Sequence, residues 1–330
     1  MAHRIHRRII LSIAAALASV AVGLPMAHAA DPVKPRITVV TGSDPAFSYL
    51  TVAVNKGFFE KEGIDATLKV FDDGNVALDS LLTGNAQIGS TSEVGTLTRR
   101  AKGGPISVVA SGAQSPDFYG IVGSDKIKEP KDLIGKTVGM PKGSGGHLYF
   151  GYLFSKLGLD ISKINIKFLQ SPEAIAALSR GDIDAMAIWE PTLTRVTSMV
   201  PGTHVISRAG KDQAYFMNMY LLFAQDLLKD QELSKKSMRA IIAASEWIPA
   251  NWDEAVKIVA KANHMDNDKA EYIMKLNTWK VTFDEKYFMA NFNSAGQFAQ
   301  TQGLMQKMPE FTGFLRPDVL AGVAPERVKN

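Results

Sequence analysis

No cysteine occurs anywhere in the 330 residues of this chain. Its absence excludes disulfide bonds, thiolate metal sites, cysteine nucleophiles and a lipid-modified N-terminal cysteine. Long apolar stretches are also lacking, because after the first thirty residues none approaches 18 consecutive apolar residues. The chain is therefore expected to be soluble, and its length permits a core large enough to fold without disulfides.

A strong excess of charge of either sign is lacking as well. The chain has 37 basic and 33 acidic residues, and without Arg4, Arg7 and Arg8 the basic count falls to 34. The remaining sequence is almost neutral. This balance predicts no nucleic-acid-binding surface, which would need a marked basic excess.

The first thirty residues have the features of a secretory signal peptide. A positively charged start precedes an apolar run at residues 9–24, and Ala27-His28-Ala29 places small residues around a cleavage site. The alternative is a membrane anchor, but the run is shorter than the roughly 20 residues that cross a bilayer. We expect a signal peptide over residues 1–29, cleavage near Ala29, and a periplasmic mature protein.

Short apolar segments typical of buried strands alternate with helical segments over the first part of the mature chain. Strands are predicted at residues 36–40, 66–71, 88–91, 106–111, 137–140, 165–169 and 185–189. Four helices are predicted further on, at residues 233–247, 252–263, 269–276 and 286–305. The alternation through glycine-containing turns predicts an α/β fold with mainly parallel sheets flanked by helices, followed by a helical C-terminal section.

Four segments, taken in order, resemble the substrate-binding proteins of nitrate, sulfonate and taurine ABC importers. They read NKGFFEKEGI at 55–64, ALDSLLTGNAQIG at 77–89, DLIGKTVG at 132–139, and ALSRGDIDA at 177–185 leading to WEP at 189–191. One departure is Asn85-Ala86-Gln87, where that family usually has an acidic residue before the strand. The position is expected to support a turn, so the departure does not put the function in doubt.

This resemblance implies a type II periplasmic-binding fold, in which two lobes close on a ligand by a hinge. Residues 30–117 and 216–330 would form lobe 1, and residues 118–215 would form lobe 2. The implied function is the solute-binding component of an ABC importer, with a small anionic or zwitterionic ligand of the sulfonate, taurine or nitrate class. The implied partner is an inner-membrane permease, on which the binding protein would dock. The binding protein is expected to be a monomer that needs no cofactor or metal.

Ligands of open α/β sheets bind beyond the carboxyl ends of strands, and two such loops lie in the first part of the chain. In the first loop Ser43, Asp44 and Phe47 are candidates, although Asp44 is also suited to capping a helix. In the second loop Ser92 and Glu93 are candidates. Glu93 would pair with an ammonium or amidine group, or would only complement a helix dipole.

A third loop is glycine-rich and opens a helix. Its candidate residues are Ser144, Gly145, Gly146 and His147, whose backbone N–H groups suit a negatively charged group. The loop lacks the ending of a Walker motif, so nucleotide binding is not expected. His147 has no partner at metal-ligand spacing and is interpreted as a hydrogen-bond donor or a cap.

The fourth loop contains Trp189 and Glu190, and the predicted crossovers carry Phe118 and Asn218. Trp189 offers a flat apolar face to a ligand, or is buried in the lobe core. No pairing of nucleophile and base occurs in these loops, so an enzyme on the same fold is not favoured. A pyrimidine or aromatic ligand stacked on Trp189 and Phe118 remains an alternative, and sequence does not separate transport from ligand sensing.

Overall fold

The computed structural model describes residues 34–72 and 74–329. The predicted signal peptide lies outside these residues. Within them no helix is both long and apolar enough to cross a membrane. The architecture described below therefore concerns the segment that follows the predicted cleavage site.

The strands fall into two five-stranded sheets and one short two-stranded pair. In chain order they are β1 (Arg36–Gly42), β2 (Asp65–Phe71), β3 (Ile88–Thr91), β4 (Ile106–Ser115), β5 (Tyr119–Ser124), β6 (Thr137–Met140), β7 (Asn165–Phe168), β8 (Ala185–Trp189), β9 (Thr203–Arg208), β10 (Met217–Ala224), β11 (Phe283–Asp284) and β12 (Val328–Lys329).

Helices connect and cover these strands. In chain order they are α1 (Ser48–Asn55), α2 (Phe58–Lys61), α3 (Gly74–Leu82), α4 (Glu93–Ala101), α5 (Gly145–Lys156), α6 (Ser171–Arg180), α7 (Thr192–Met199), α8 (Ala209–Asp212), α9 (Gln225–Lys229), α10 (Gln231–Ala250), α11 (Trp252–Ala262), α12 (Asn267–Lys275), α13 (Glu285–Thr301) and α14 (Pro317–Ala321). Single turns of 3₁₀ helix occur at Pro45–Phe47, Pro130–Leu133, Ile161–Lys163 and Pro325–Arg327.

Local sequence sets several helix ends. Asp230 and Asp284 begin α10 and α13, and their carboxylates accept hydrogen bonds from the N–H groups of Leu233 and Tyr287. These bonds satisfy donors that a helix start leaves free. At the end of α6, Gly181 takes a left-handed conformation with φ of 77°, which glycine adopts at little cost.

The first sheet has the strand order β2-β1-β3-β10-β4. β1 pairs in parallel with β2 and β3, whereas β10 runs antiparallel between β3 and β4. The second sheet has the order β7-β6-β8-β5-β9, and β5 runs antiparallel between β8 and β9. Each sheet is thus mainly parallel with one inserted antiparallel strand.

The chain crosses between the sheets twice, once from β4 to β5 and once from β9 through α8 to β10. β4 and β10 are neighbours in the first sheet, and β5 and β9 are neighbours in the second. The two crossovers therefore run side by side, and both start at the carboxyl end of a parallel strand. As a consequence, the carboxyl edges of the two sheets face one space.

The helical C-terminal section packs on the first sheet. α10 contacts α1 and α2, and α13 contacts α4. Thr278 and Thr282 form isolated bridges to β4 at Gln114 and Ser111. These bridges cover an edge that would otherwise leave backbone donors and acceptors unpaired.

The fold class predicted from the sequence is confirmed: two sheets flanked by helices, with a helical C-terminal section. Strand boundaries differ at β4, which continues to Ser115 where residue 111 was predicted as the end. Gly112 stands in a bulge between Ser111 and Ala113, and the ring of Tyr49 lies where its side chain would be. A glycine often ends a strand, but here Gly112 lets the ring of Tyr49 approach the backbone of β4 closely.

Candidate ligand-binding cleft

The candidate site lies where the carboxyl edges of the two sheets face each other. Thr41 and Ser90 come two residues after the Val39–Ile88 pair that joins β1 to β3. Asn218 comes near the start of β10, two residues before Tyr220, which pairs with Thr91 at the end of β3. Polar side chains from three neighbouring strands are therefore at one edge of the first sheet.

In the first predicted loop, Ser43 and Asp44 make hydrogen bonds with backbone groups of the protein. Asp44 accepts a hydrogen bond of 2.7 Å from the N–H of Ala46, and Ser43 donates its N–H to the carbonyl of Phe71 at 2.6 Å. Phe47 is buried, with its ring beside Gly42 and Gly74. Asp44 thus has the capping role that the sequence offered as an alternative. Whether this loop also contacts a ligand stays a prediction.

Glu93, in the second loop, is a carboxyl group enclosed by protein. Only 1% of the residue is exposed. Oε2 accepts a hydrogen bond of 2.5 Å from the hydroxyl of Tyr215, whereas Oε1 is buried without a hydrogen-bond partner among the described residues. Burial, opposed by the Tyr215 bond, raises the pKa of Glu93 to about 7. Such a group is able to change its charge near neutral pH.

Tyrosines from several elements surround Glu93. The ring of Tyr215 lies 5.3 Å from that of Tyr119 and 5.9 Å from that of Tyr152. Burial, followed by the negative charge of Glu93, raises the pKa of Tyr215 and of Tyr220. These phenols therefore stay neutral and act as hydrogen-bond donors and aromatic walls. Tyr215 lies at the second crossover, between β9 and β10, and was not among the candidate residues predicted from the sequence.

Four further buried side chains at this edge have a polar atom without a well-formed hydrogen bond among residues 34–72 and 74–329, although Tyr49 interacts with Ser90 and Tyr220 with Asn218. The atoms are Thr41 Oγ1, Tyr49 Oη, Ser90 Oγ and Asn218 Nδ2. The carbonyl oxygen of Asn218 is occupied, because the hydroxyl of Ser111 donates to it. Buried polar groups are usually paired, so a concentration of open ones indicates a place prepared for a polar ligand.

Ser92 precedes α4 but does not cap it with its side chain. The carbonyl oxygen of Ser92 accepts hydrogen bonds from the N–H of Thr96 at 3.0 Å and from the hydroxyl of Thr96 at 2.8 Å. The Ser92 hydroxyl, in a residue that is 6% exposed, is therefore left out of the helix start. It stays a predicted ligand contact.

The glycine-rich loop packs against protein. Ser144 accepts a hydrogen bond of 3.2 Å from the N–H of His147 and so caps α5. A side chain at Gly145 would overlap the hydroxyl of Tyr119, and one at Gly146 would lie 3.0 Å from the carbonyl oxygen of Ala187. These glycines are explained by close packing on the second sheet, and a backbone site for an anion stays a prediction.

His147 is buried at the start of α5. Its Nδ1 accepts a hydrogen bond of 3.2 Å from the N–H of Gly143, which leaves the ring hydrogen on Nε2. The ring makes edge contacts with Phe168 at 5.1 Å and Phe298 at 4.9 Å. Burial, assisted by Lys142, lowers the pKa of His147 to about 4, so the ring is neutral. The ring accepts a hydrogen bond through Nδ1, and its interpretation as a hydrogen-bond donor stays a prediction.

In the fourth loop, Glu190 is fully buried and paired with Arg208 at 2.8 Å. It also accepts hydrogen bonds of 3.0 Å from the N–H and hydroxyl of Thr194. Phe118 is fully buried, and its carbonyl oxygen accepts the N–H of Glu190 at 3.1 Å. Trp189 is half-buried between two hydrophobic clusters. Both carboxylate oxygens of Glu190 thus accept hydrogen bonds from protein groups, which explains its burial without a ligand. The ligand contacts of Trp189 and Phe118 stay predictions.

The sequence-based candidates omitted Thr41, Tyr49, Tyr152 and Tyr215. Thr41 lay in the first loop but was overlooked in favour of the turn residues after it. The three tyrosines have no local signal, because each reaches the cleft from a different helix or crossover. No set of three or more histidine, aspartate or glutamate side chains among the described residues is arranged as metal ligands.

Comparison with known proteins gives the class and then the family. The two-sheet architecture matches the alkanesulfonate-binding protein SsuA from Xanthomonas axonopodis pv. citri bound to MOPS, with a TM-score of 0.75 and 18% identity over 86% of this chain and 99% of that one. The model of the family described as NMT1/THI5 like matches residues 44–255. The chain belongs to this family.

Two relatives are similar over most of their length. A putative binding protein of Brucella abortus (strain 2308) is 25% identical over 68% of this chain and 70% of its own. The taurine-binding periplasmic protein of Escherichia coli (strain K12) is 25% identical over 77% of this chain and 80% of its own. The predicted resemblance to solute-binding proteins is confirmed at the level of the family.

Proposed function

We propose that this protein is the periplasmic solute-binding component of an ABC importer, which binds a small organic molecule between its two sheets without converting it. One observation supports the proposal: buried polar atoms without a well-formed hydrogen bond to protein gather at the carboxyl edge of the first sheet, which faces the second sheet. These are Thr41 Oγ1, Ser90 Oγ, Glu93 Oε1 and Asn218 Nδ2. Each open group costs about 1–3 kcal/mol, which a bound ligand would offset.

A zwitterionic ligand of the sulfonate or taurine class fits the groups present. Hydroxyls and the amide nitrogen of Asn218 donate to anionic oxygens, and Glu93 accepts from a positive group. The similarity to a taurine-binding protein supports the same class. We extend the proposal to the lobes predicted from the sequence, to cleavage of the signal peptide near Ala29, and to a monomer that docks on a permease.

An aromatic or pyrimidine-like ligand is a second candidate. The observation in its favour is the group of tyrosine rings near Glu93. The ring of Tyr215 lies 5.3 Å from the ring of Tyr119 and 5.9 Å from the ring of Tyr152. Such rings stack on flat ligands. This candidate places stacking on the tyrosines instead of on Trp189 and Phe118.

Thermal unfolding of the mature protein with a panel of compounds tests the proposal. The panel contains taurine, alkanesulfonates, nitrate, aromatic acids and aminopyrimidines. A ligand at 100 times its Kd adds roughly 2.7 kcal/mol and raises Tm by several degrees. Mass spectrometry after incubation then checks that the compound is unchanged. A chemically altered compound contradicts the binding-only proposal, and no shift with any sulfonate contradicts the sulfonate class.

A further inference from the structure

The carboxyl group of Glu93 is the one acid that the cleft encloses with an open oxygen among the described residues. An acid in the first turn of a helix complements the helix dipole. That role is fulfilled equally well by a solvent-exposed carboxylate, so it does not account for a residue that is 1% exposed. The burial of Glu93 therefore requires a stabilising partner other than the helix dipole.

The two oxygens of Glu93 differ. Oε2 has the hydroxyl of Tyr215 as a donor, and Oε1 has none. Among the residues that the structure describes, the groups that influence the charge of Glu93 are the hydroxyl of Tyr215 and its own backbone N–H, with no lysine or arginine. A buried carboxylate is stabilised by an opposite charge or by further donors. The open position on Oε1 is therefore suited to a donor that arrives with the ligand.

The surroundings of Oε1 favour a positive donor. The groups that interact electrostatically with Glu93 are neutral phenols: Tyr215 at the second crossover, which also donates a hydrogen bond to it, Tyr220 on β10, Tyr152 on α5 and Tyr287 on α13. Aromatic faces attract cations, and none of these phenols brings a charge that would compete with one. They come from elements of both sheets, so the acid stands between the two halves of the fold.

We propose that Glu93 and the tyrosines around it form a subsite for a protonated nitrogen of the ligand, an ammonium or amidinium group. This inference rests on the proposed function, because it assigns one end of the ligand in the same cleft. The Oε1 atom accepts the N–H of the ligand while the hydroxyl of Tyr215 holds Oε2. The side chain of Asn218, which interacts with the hydroxyl of Tyr220 at the same sheet edge, would donate to another part of the ligand.

The test uses two pairs of compounds that differ at this end. Taurine is compared with isethionate, in which a hydroxyl replaces the ammonium, and benzamidine is compared with benzamide. Isothermal titration at pH 8 with the full mature protein gives each Kd. A charge-assisted hydrogen bond supports a preference of about 10-fold or more for the nitrogen cation in at least one pair. Glu93→Gln should abolish that preference.

Matched variants keep the outcome clear. Exposed Glu310→Gln makes the same change of charge at a surface position and should retain the preference. Circular dichroism and urea unfolding show whether Glu93→Gln is folded. If it is not, Tyr215→Phe provides the second variant and should reduce the preference, because it removes the donor to Oε2.

The outcomes separate the inference from the proposed function. Equal binding of taurine and isethionate, with no preference for benzamidine, overturns the subsite and leaves a sulfonate-binding protein. A preference for benzamidine without any binding of the two sulfonates supports the subsite and contradicts the sulfonate class. A preference that survives Glu93→Gln, or no preference in either pair, overturns the inference.

Discussion

Arg208 Nη2 lies 2.8 Å from Oε1 of Glu190, a side chain that is fully buried. The same guanidinium donates to the carbonyl oxygen of Asp117 at 2.9 Å and to the hydroxyl of Tyr272 at 3.3 Å. Arg208 therefore connects the end of β8, the first crossover and helix α12 of the C-terminal section. One cation joins parts of the chain that belong to both sheets.

Replacing Arg208 by leucine should destabilise the protein by about 3 kcal/mol, because it leaves the buried Glu190 carboxylate without its ion-pair partner. Urea unfolding measures this change. The matched control is Arg208→Leu combined with Glu190→Gln, which removes the unpaired charge and should recover part of the loss. A double variant that is no more stable than Arg208→Leu would show that the ion pair is not the cause.

The pKa of Glu93 predicts how stability depends on pH. Its folded-state pKa is raised from 4.5 to about 7, so between these values the folded protein holds a proton that the unfolded chain has lost. The free energy of unfolding should therefore fall with rising pH across this window, by about 3 kcal/mol in total from this group. Below pH 4.5 Glu93 is protonated in both the folded and the unfolded state, so it adds no further pH dependence to the free energy of unfolding.

Comparison of the wild type with Glu93→Gln isolates this contribution, because all other titrating groups are common to both. Urea unfolding at pH 5 and at pH 8, without ligand, is the measurement. The variant should gain stability relative to the wild type as the pH rises. Parallel profiles of the two proteins would contradict a raised pKa at Glu93.

Gly145 tests the packing of the glycine-rich loop. Alanine favours a helix by up to about 1 kcal/mol over glycine, but its Cβ would overlap the hydroxyl of the buried Tyr119. The overlap should dominate, and Gly145→Ala should cost about 1–3 kcal/mol in urea unfolding. In a Tyr119→Leu background the same substitution should be neutral or stabilising. An equal cost in both backgrounds would place the strain elsewhere.

A hydrogen bond of 2.7 Å joins Tyr152 on α5 to Ser294 on α13, across the two halves of the fold. A ligand held between the two halves, as proposed, would be retained better with this contact in place, so its loss should weaken affinity about fivefold, the equivalent of one neutral hydrogen bond. Titration with the panel compound that raises Tm most is the measurement. Tyr152→Phe combined with Ser294→Ala should be no weaker than either single variant, and additive losses would argue against a direct bond.

The sequence predicted seven strands of the two sheets and the four helices of the C-terminal section, because these depend on neighbouring residues. β5 and β9 were not predicted as strands, although β5 is fully buried except at Ser124. Its two glycines, Gly120 and Gly123, weaken a strand pattern. Both are needed, since side chains there would press on Ser207, Leu193 and Ile127.

The candidate site was predicted in position but not in detail. Glu93 was found because it follows a strand at the expected edge. Its partner Tyr215 is 122 residues away in the chain, and Glu190 is 18 residues from Arg208. Such pairs are created by strand order and crossover geometry, which no local pattern contains. The sequence therefore located the acids but could not tell which is paired and which is open.

The position of β10 has a consequence for how the chain assembles. β10 lies between β3 and β4, which do not pair with each other, and its first residue is Met217. The chain passes through all of the second sheet before it reaches this strand. The second sheet is therefore able to form while the first is still open, and contacts of such long sequence separation are slow to close. A chain that ended before Met217 would leave β4 without its main partner.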